Sequence, residues 1–265
     1  MKLLVVDYDG TLYPKEHGDC DRLYKENIEA VKKWLAAGNK FVVATGRSGH
    51  TKEELEAEIG QPFDYIGVNG GHVILADGSM KIKDMPLSVY IDLCEFVKEK
   101  KADASLFTHD EENWIWSGKE NYPWQEAWFL SSTHVQYVTV FPLDKLNPAT
   151  RIKSVDILVA KENRDKLMAA ILKRFPKINI IAIDVNQLKV SPDNIGKGLA
   201  LIELCQNYNI DFSDVIVVGD SHNDIPMFAL VEKSYCMYHG EEAVKAKAAK
   251  IANTVKEVID QELSY

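Results

Sequence analysis

The sequence predicts an α/β fold: a doubly wound parallel sheet with a second, α+β domain inserted into it. Two observations carry the sheet. Purely apolar, partly β-branched runs recur along the chain, as strands buried on both faces require; they are Leu3-Leu4-Val5-Val6, Phe41-Val42-Val43-Ala44 and Val215-Ile216-Val217-Val218. Helical spacings separate such runs at the length of βαβ units with right-handed crossovers. A third observation carries the insertion, because the rhythm turns strand-rich in mid-chain and then resumes. The expected division is 1–81 and 188–265 for the core and 82–187 for the insert.

In chain order, Leu3 to Val6 is the first buried strand. Tyr24, Ile28, Val31 and Leu35 fall at helical spacing, and Gly38 supplies a stop. Phe41 to Ala44 is the second strand, followed by an acidic helix over Thr51–Ile59 that closes at Gly60. Tyr65 to Val68 is a third strand, ending at Asn69-Gly70-Gly71. Within the insert, a helix is expected over Val89–Lys101 and strands over Leu106–Trp116, Val135–Phe141 and Ile152–Val159. A helix over Arg164–Phe175 and strands over Ile178–Ile183 and Gln187–Val190 complete it. The core then resumes: Leu201, Leu204, Cys205 and Tyr208 mark a helical face, and Val215 to Val218 is a strand. Pro226 is tolerable in the first turn of a short helix. Tyr235 to Tyr238 is a last strand, and Val244–Ile259 is expected to be mostly helical.

Composition bounds the function. The 265 residues are 46% hydrophobic and 27% charged, ordinary for a globular protein. A net charge of -9, spread without long single-sign blocks, argues against nucleic acid or an anionic membrane as partner. No run approaches the ~20 apolar residues of a membrane span, and four apolar residues before Asp7 are too few for a signal peptide. Cys20, Cys94, Cys205 and Cys236 form no C-x-x-C pair, which disfavours zinc and redox motifs. Cys94, Cys205 and Cys236 lie in apolar settings and read as buried free thiols, hence a reducing cytoplasm. The sequence carries no signal for an oligomeric state.

Three polar motifs follow doubly buried strands: Asp7-Tyr8-Asp9, Thr45-Gly46-Arg47, and Asp220 to Asp224. In a parallel sheet the strand C-termini share one edge, where ligands bind, so these motifs should converge. If the chain stays extended to Asp9, the two-residue period turns Asp7 and Asp9 to one side. Asp7, Asp220 and Asp224 bring two or three negative charges together and ask for a cation; hard oxygen donors suit Mg²⁺. A carboxylate beside such an ion stays ionised and can attack an electrophile, while a neighbour two residues on passes protons. A phosphoryl electrophile needs donors around its oxygens. Thr45, the Gly46 N–H and Lys197 are suitable, the lysine lying between glycines at a helix start.

D-x-D-G-T-L near the N-terminus, T-G-R after the second strand, a lone lysine before a helix, and G-D-x-x-N-D together resemble the four-part signature of the haloacid dehalogenase-like phosphatases. The large insert between Asn69-Gly70-Gly71 and Lys197 is similar to the Cof-type branch with an α/β cap. The likeness covers 1–81 and 188–265 by motif and the middle by position and length. It implies a Rossmann-like catalytic core, a cap that closes over the site and sets specificity, and a Mg²⁺-dependent phosphomonoesterase acting on a small phosphorylated metabolite, sugar phosphates leading. Asp7 would be the nucleophile forming an aspartyl-phosphate and Asp9 the general acid and base. Tyr8, Thr45, Gly46, Lys197 and Asn223 would hold the phosphoryl group. Asp7, the main-chain carbonyl of Asp9, and Asp220 would bind the metal, with Asn223 and Asp224 behind it. Arg47 is a candidate substrate contact or a cap on the site's edge. A phosphosugar mutase or other phosphotransferase needs the same motifs, and a non-catalytic metabolite-binding protein could keep the fold. Carbon–halogen cleavage needs neither Asp9 nor Mg²⁺.

The chain departs from the pattern where His239-Gly240-Glu241-Glu242-Ala243 stands in place of the frequent Gly-Asn-Ala, and where Leu230-Val231-Glu232-Lys233 lacks a common glycine. His222 reads as a surface residue of the metal loop, and His50 as a residue within reach of substrate or a plain surface group. Trp114, Trp116, Trp124 and Trp128 read as the insert's own core or a dimer contact, with stacking on a substrate ring as the alternative.

Overall fold

The computed structural model describes residues 1–14, 18–47, 49–100, 104–109, 114–117, 147 and 149–264. By its internal contacts the chain divides into two compact units, Met1–Ile82 with Ile195–Tyr265, and Lys83–Asn194.

The first unit is built on an eight-stranded sheet. Its strands are β1 (Leu3–Val6), β2 (Lys40–Ala44), β3 (Asp64–Gly67), β4 (His72–Ile74), β5 (Met80–Ile82), β13 (Val215–Gly219), β14 (Lys233–Met237) and β15 (Lys250–Ala252). The order is β15-β14-β13-β1-β2-β3-β4-β5, parallel from β15 to β3 and antiparallel over β4 and β5. Side chains of successive strand residues point to opposite faces, and the apolar runs fill both. Leu4, Val6, Phe41, Val43, Ile216 and Val218 pack with Ile28, Val31 and Trp34 of α1 (Cys20–Ala36) and with Val255, Val258 and Ile259 of the C-terminal helix. Leu3, Val5, Val42, Ala44, Val215 and Val217 pack on the other face with Ala200, Leu201, Leu204 and Cys205. That double burial is why these strands carry no polar alternation.

Helix α2 (His50–Ile59) ends at Gly60, whose φ of 84° is left-handed. The second unit contains α3 (Leu87–Glu99) and α4 (Lys161–Arg174) against an antiparallel sheet ordered β11-β12-β10-β7-β8. These strands are β7 (Ala104–His109), β8 (Trp114–Ser117), β10 (Val155–Val159), β11 (Ile178–Asp184) and β12 (Gln187–Pro192); β6 (Met85–Pro86) pairs separately with β9 (Arg151–Ile152). Tyr90, Leu93, Val97, Ile157, Leu167, Ile171, Leu188 and Val190 form its core. The first unit resumes with α5 (Lys197–Tyr208), α6 (Ile225–Phe228), α7 (Glu242–Lys245) and α8 (Val255–Leu263).

Several expectations are corrected. Leu106–Trp116 is not one strand: Leu106 pairs with Ser117 and His109 with Trp114, so the chain reverses between them. Ile152–Val159 divides between β9 and β10, which belong to different sheets. Val244–Ile259 is not mostly helical, because β15 adds to β14 at the sheet's edge and a new helix starts only where the Thr254 side chain accepts from the Glu257 N–H. The sheet also continues past β3 into β4 and β5. The expected strand Val135–Phe141, and Trp124 and Trp128, lie outside the described residues. All four cysteines are free, with Cys94, Cys205 and Cys236 buried. Among the described residues no helix is long and apolar enough to cross a membrane.

Candidate active site

The site begins with the face on which β1 places its last residues. Asp7 extends the ladder, its N–H donating to the Val218 carbonyl at 2.9 Å. The two-residue period puts it on the face of Leu3 and Val5, which α5 covers, and α5 begins with Lys197. The result is a buried ion-pair network. Lys197 Nζ donates to Asp7 Oδ1 at 2.6 Å and to Asp224 Oδ1 at 2.7 Å, and all three residues are almost wholly shielded from solvent.

The extension assumed for Asp9 fails one residue after Asp7. The Leu12 N–H donates to the Asp7 carbonyl at 3.0 Å and the Tyr13 N–H to the Tyr8 carbonyl at 2.9 Å, so the chain coils. Asp9 is therefore not a side-by-side partner of Asp7. Its carboxylate is held by Arg47, whose Nε and Nη2 donate to its two oxygens at 2.9 and 2.7 Å. The guanidinium lies 4.6 Å from the centre of the Tyr8 ring.

Asp220 and Asp224 follow β13. Asp224 Oδ2 accepts the N–H groups of Asp220 (3.0 Å) and Ser221 (3.1 Å), which locks the loop and leaves Oδ1 for Lys197. Asp220 Oδ1 accepts the Thr11 hydroxyl at 3.1 Å. Gly10 has a φ of +90°, and a Cβ there would stand 2.4 Å from Asp220 Oδ2. Glycine is thus required both by conformation and by the close approach of Asp220.

After β2, the buried Thr45 accepts the Arg47 N–H on Oγ1 at 3.2 Å, and its carbonyl accepts the Asn69 N–H at 2.9 Å. Asn69, left-handed at φ 53°, accepts on Oδ1 from Asn223 Nδ2 at 3.0 Å. This side-chain contact ties the loop after β3 to the loop after β13, and Gly46 lies beside the same Asn69 amide.

The structure thus joins Asp7, Lys197, Asp220 and Asp224 in one network, joins Asp9 to Arg47, and links Thr45 and Asn223 through Asn69. Sequence reasoning assigned no role to Thr11, Asn69 or His239. Asn69 had a signal, since an Asn-Gly-Gly at a strand end marks a left-handed turn on the ligand-binding edge. His222 and His50 are both exposed, and His50 pairs with Glu53 and Glu54 of its own helix.

The electrostatics ask for positive charge. Burial pushes the Asp7 carboxyl well above its usual range, Lys197 opposes that, and Asp224 and Asp220 add to it. Burial likewise raises Asp220, with Asp224 reinforcing it. Lys197 itself is held protonated by the two carboxylates despite its burial. One carboxylate oxygen each of Asp7, Asp220 and Asp224 lie within 4.8 Å of one another. Three carboxylates against a single ammonium leave an excess of negative charge, and the donor set is all hard oxygen. The excess charge and the hard oxygen donors fit a small divalent cation.

A family model for haloacid dehalogenase-like hydrolases matches residues 4–259. The chain belongs to this family. The hydrolase is 27% identical over 301 residues to the 5-amino-6-(5-phospho-D-ribitylamino)uracil phosphatase YwtE of Bacillus subtilis, covering 100% of this chain and 99% of that protein. It is 24% identical to a phosphoglycolate phosphatase of Nitrosopumilus maritimus, over 93% of this chain and 87% of the relative. In fold it is similar to a haloacid dehalogenase-like hydrolase from Bacteroides thetaiotaomicron (TM-score 0.78, 22% identity, 98% and 99% of the two chains). The same holds for TM0651 from Thermotoga maritima (TM-score 0.80, 21% identity, 98% and 97%).

Proposed function

We propose that the hydrolase is a Mg²⁺-dependent phosphomonoesterase of the cytoplasm that acts on a small phosphorylated metabolite, sugar phosphates being the leading class, through an aspartyl-phosphate on Asp7. One observation carries this reading: the buried cluster of Asp7, Asp220 and Asp224 around Lys197, at the C-terminal ends of adjacent parallel strands. The phosphatase relatives in Bacillus and Nitrosopumilus support the reaction class.

Asp7 attacks phosphorus and the bond to the leaving oxygen breaks; Asp9 supplies that oxygen's proton and later takes one from the water that hydrolyses the acyl-phosphate. To do so, Asp9 leaves the ion pair it makes with Arg47 and takes up a proton from solvent before the leaving oxygen departs. Lys197, Thr45, Asn223 and the backbone N–H groups of Tyr8 and Gly46 hold the phosphoryl oxygens. Asp7, the Asp9 carbonyl and Asp220 would bind Mg²⁺, and Asp224 positions Lys197. When bound, the ion neutralises the charge that Asp7 and the phosphoryl group bring together. Arg47, released from Asp9, is free to meet a polar group of the substrate. The second unit, Lys83–Asn194, serves as the cap that selects the substrate.

The test is phosphate release from a panel of phosphorylated metabolites, with Mg²⁺ and with chelator, by wild type and Asp7→Asn. Mg²⁺-dependent release, abolished by the substitution with the fold intact, is the expected result. Phosphate moved to an acceptor sugar would mark a mutase instead. Tight ligand binding without turnover would mark a sensor.

A further inference from the structure

Asp220 is gripped unevenly. Its Oδ1 takes the Thr11 hydroxyl, whereas Oδ2 is bracketed by Gly10 on one side and by the His239 ring on the other, with Nε2 3.7 Å away. Both side chains are largely shielded, 13% exposed for His239 and 16% for Asp220. Electrostatic contacts count for more there than in water. The sequence reading treated His239 only as a departure from a common pattern.

The contact is built into the backbone. After β14 the chain turns through Tyr238-His239-Gly240, pinned by the Tyr238 N–H on the Ala252 carbonyl and the Gly240 N–H on the Met237 carbonyl, both at 2.9 Å. A Cβ on residue 240 would stand 2.9 Å from the Asp220 carbonyl oxygen and 2.8 Å from Cys236 Sγ. Gly240 is what lets this turn lie directly against Asp220. The Tyr238 ring meets the imidazole edge-on at 5.3 Å and 87°, which restricts its rotation. His239 lies outside the trio of carboxylates that closes within 4.8 Å, and meets it at Asp220 Oδ2.

We propose that His239 is a positioning residue for Asp220: its ring holds Oδ2 in place and so strengthens the binding of a divalent cation by Asp7, Asp220 and the Asp9 carbonyl. The inference rests on the metal reading above. Groups that orient a metal-binding carboxylate from behind are worth about 10–100-fold in metal affinity. At 3.7 Å the contact is looser than a hydrogen bond, which places His239 near the lower end.

The experiment is a calorimetric Mg²⁺ titration of the full chain as wild type, His239→Leu and His239→Gln, with metal-free melting curves to verify folding. Glutamine keeps an N–H donor near the position of Nε2, while leucine keeps bulk alone. Leucine should weaken Mg²⁺ binding about tenfold, and glutamine should recover most of the loss. Should leucine disturb the fold, His239→Ala takes its place in the comparison. Wild-type affinity in the leucine variant, or equal losses in both variants, overturns the assignment while leaving the metal site standing. A wild type that takes up no Mg²⁺ overturns the metal reading itself, and this inference with it.

Discussion

Replacing Lys197 with methionine removes one ammonium from between two buried carboxylates and little else, since the aliphatic stem is kept. Lys197 bonds Asp7 at 2.6 Å and Asp224 at 2.7 Å with its side chain fully buried. Breaking a buried pair by deleting one partner costs about 3–5 kcal/mol, because a charge is left uncompensated. Two carboxylates share this lysine, so the upper part of that range is expected. At roughly 2–4 °C per kcal/mol for a unit of this size, the melting temperature should fall by about 8–20 °C. The sign with pH is set by Asp7, whose carboxyl burial already pushes well above the usual range and which rises further without Lys197. A raised carboxyl favours the fold while protonated, and that contribution is lost as pH climbs through the folded value. The deficit should therefore be largest at neutral pH and shrink as pH falls toward 4. The assay is thermal unfolding followed by circular dichroism across that range, in chelator. A variant melting within about 2 °C of wild type at neutral pH, or a deficit that grows on acidification, would refute the reasoning.

Asp9→Asn should lower kcat by about 10²–10⁴-fold with an unchanged circular dichroism spectrum, measured by steady-state phosphate release. Gly10→Ala places a Cβ 2.4 Å from Asp220 Oδ2 at a φ of +90°. It should cost about 1–2 kcal/mol from the conformation alone and weaken Mg²⁺ binding as well, read by melting and calorimetry together. Thr254→Ala removes the cap that starts the last helix and should cost about 1 kcal/mol in a urea titration.

The doubly wound sheet was legible because its strands are buried on both faces, which strips them of polar residues and leaves runs such as Val215 to Val218 unmistakable. Asp7, Asp220 and Asp224 were legible as neighbours for a topological reason: parallel strands end on one edge. What escaped depended on local hydrogen bonding or on distant packing. The coil that takes Asp9 from Asp7 to Arg47 is set by backbone bonds from Leu12 and Tyr13, which no side-chain period records. The edge strand β15 is three residues long and half exposed, with Ile251 at 49%, so its strand character comes from β14 alone. The reversal between β7 and β8 hid inside what looked like one extended run. His239 meets Asp220 only because Gly240 admits a close approach, a contact with no signature at the level of residue type.

The central claim is that Asp7 carries the phosphoryl group during turnover. The most direct measurement is to quench the enzyme during turnover of an active phosphomonoester, reduce it with borohydride, and map the reduced residue by peptide mass. An aspartyl-phosphate is converted to homoserine, so homoserine at position 7, absent without substrate, is the predicted result. Steady phosphate release with an unmodified Asp7 in every peptide would contradict the account.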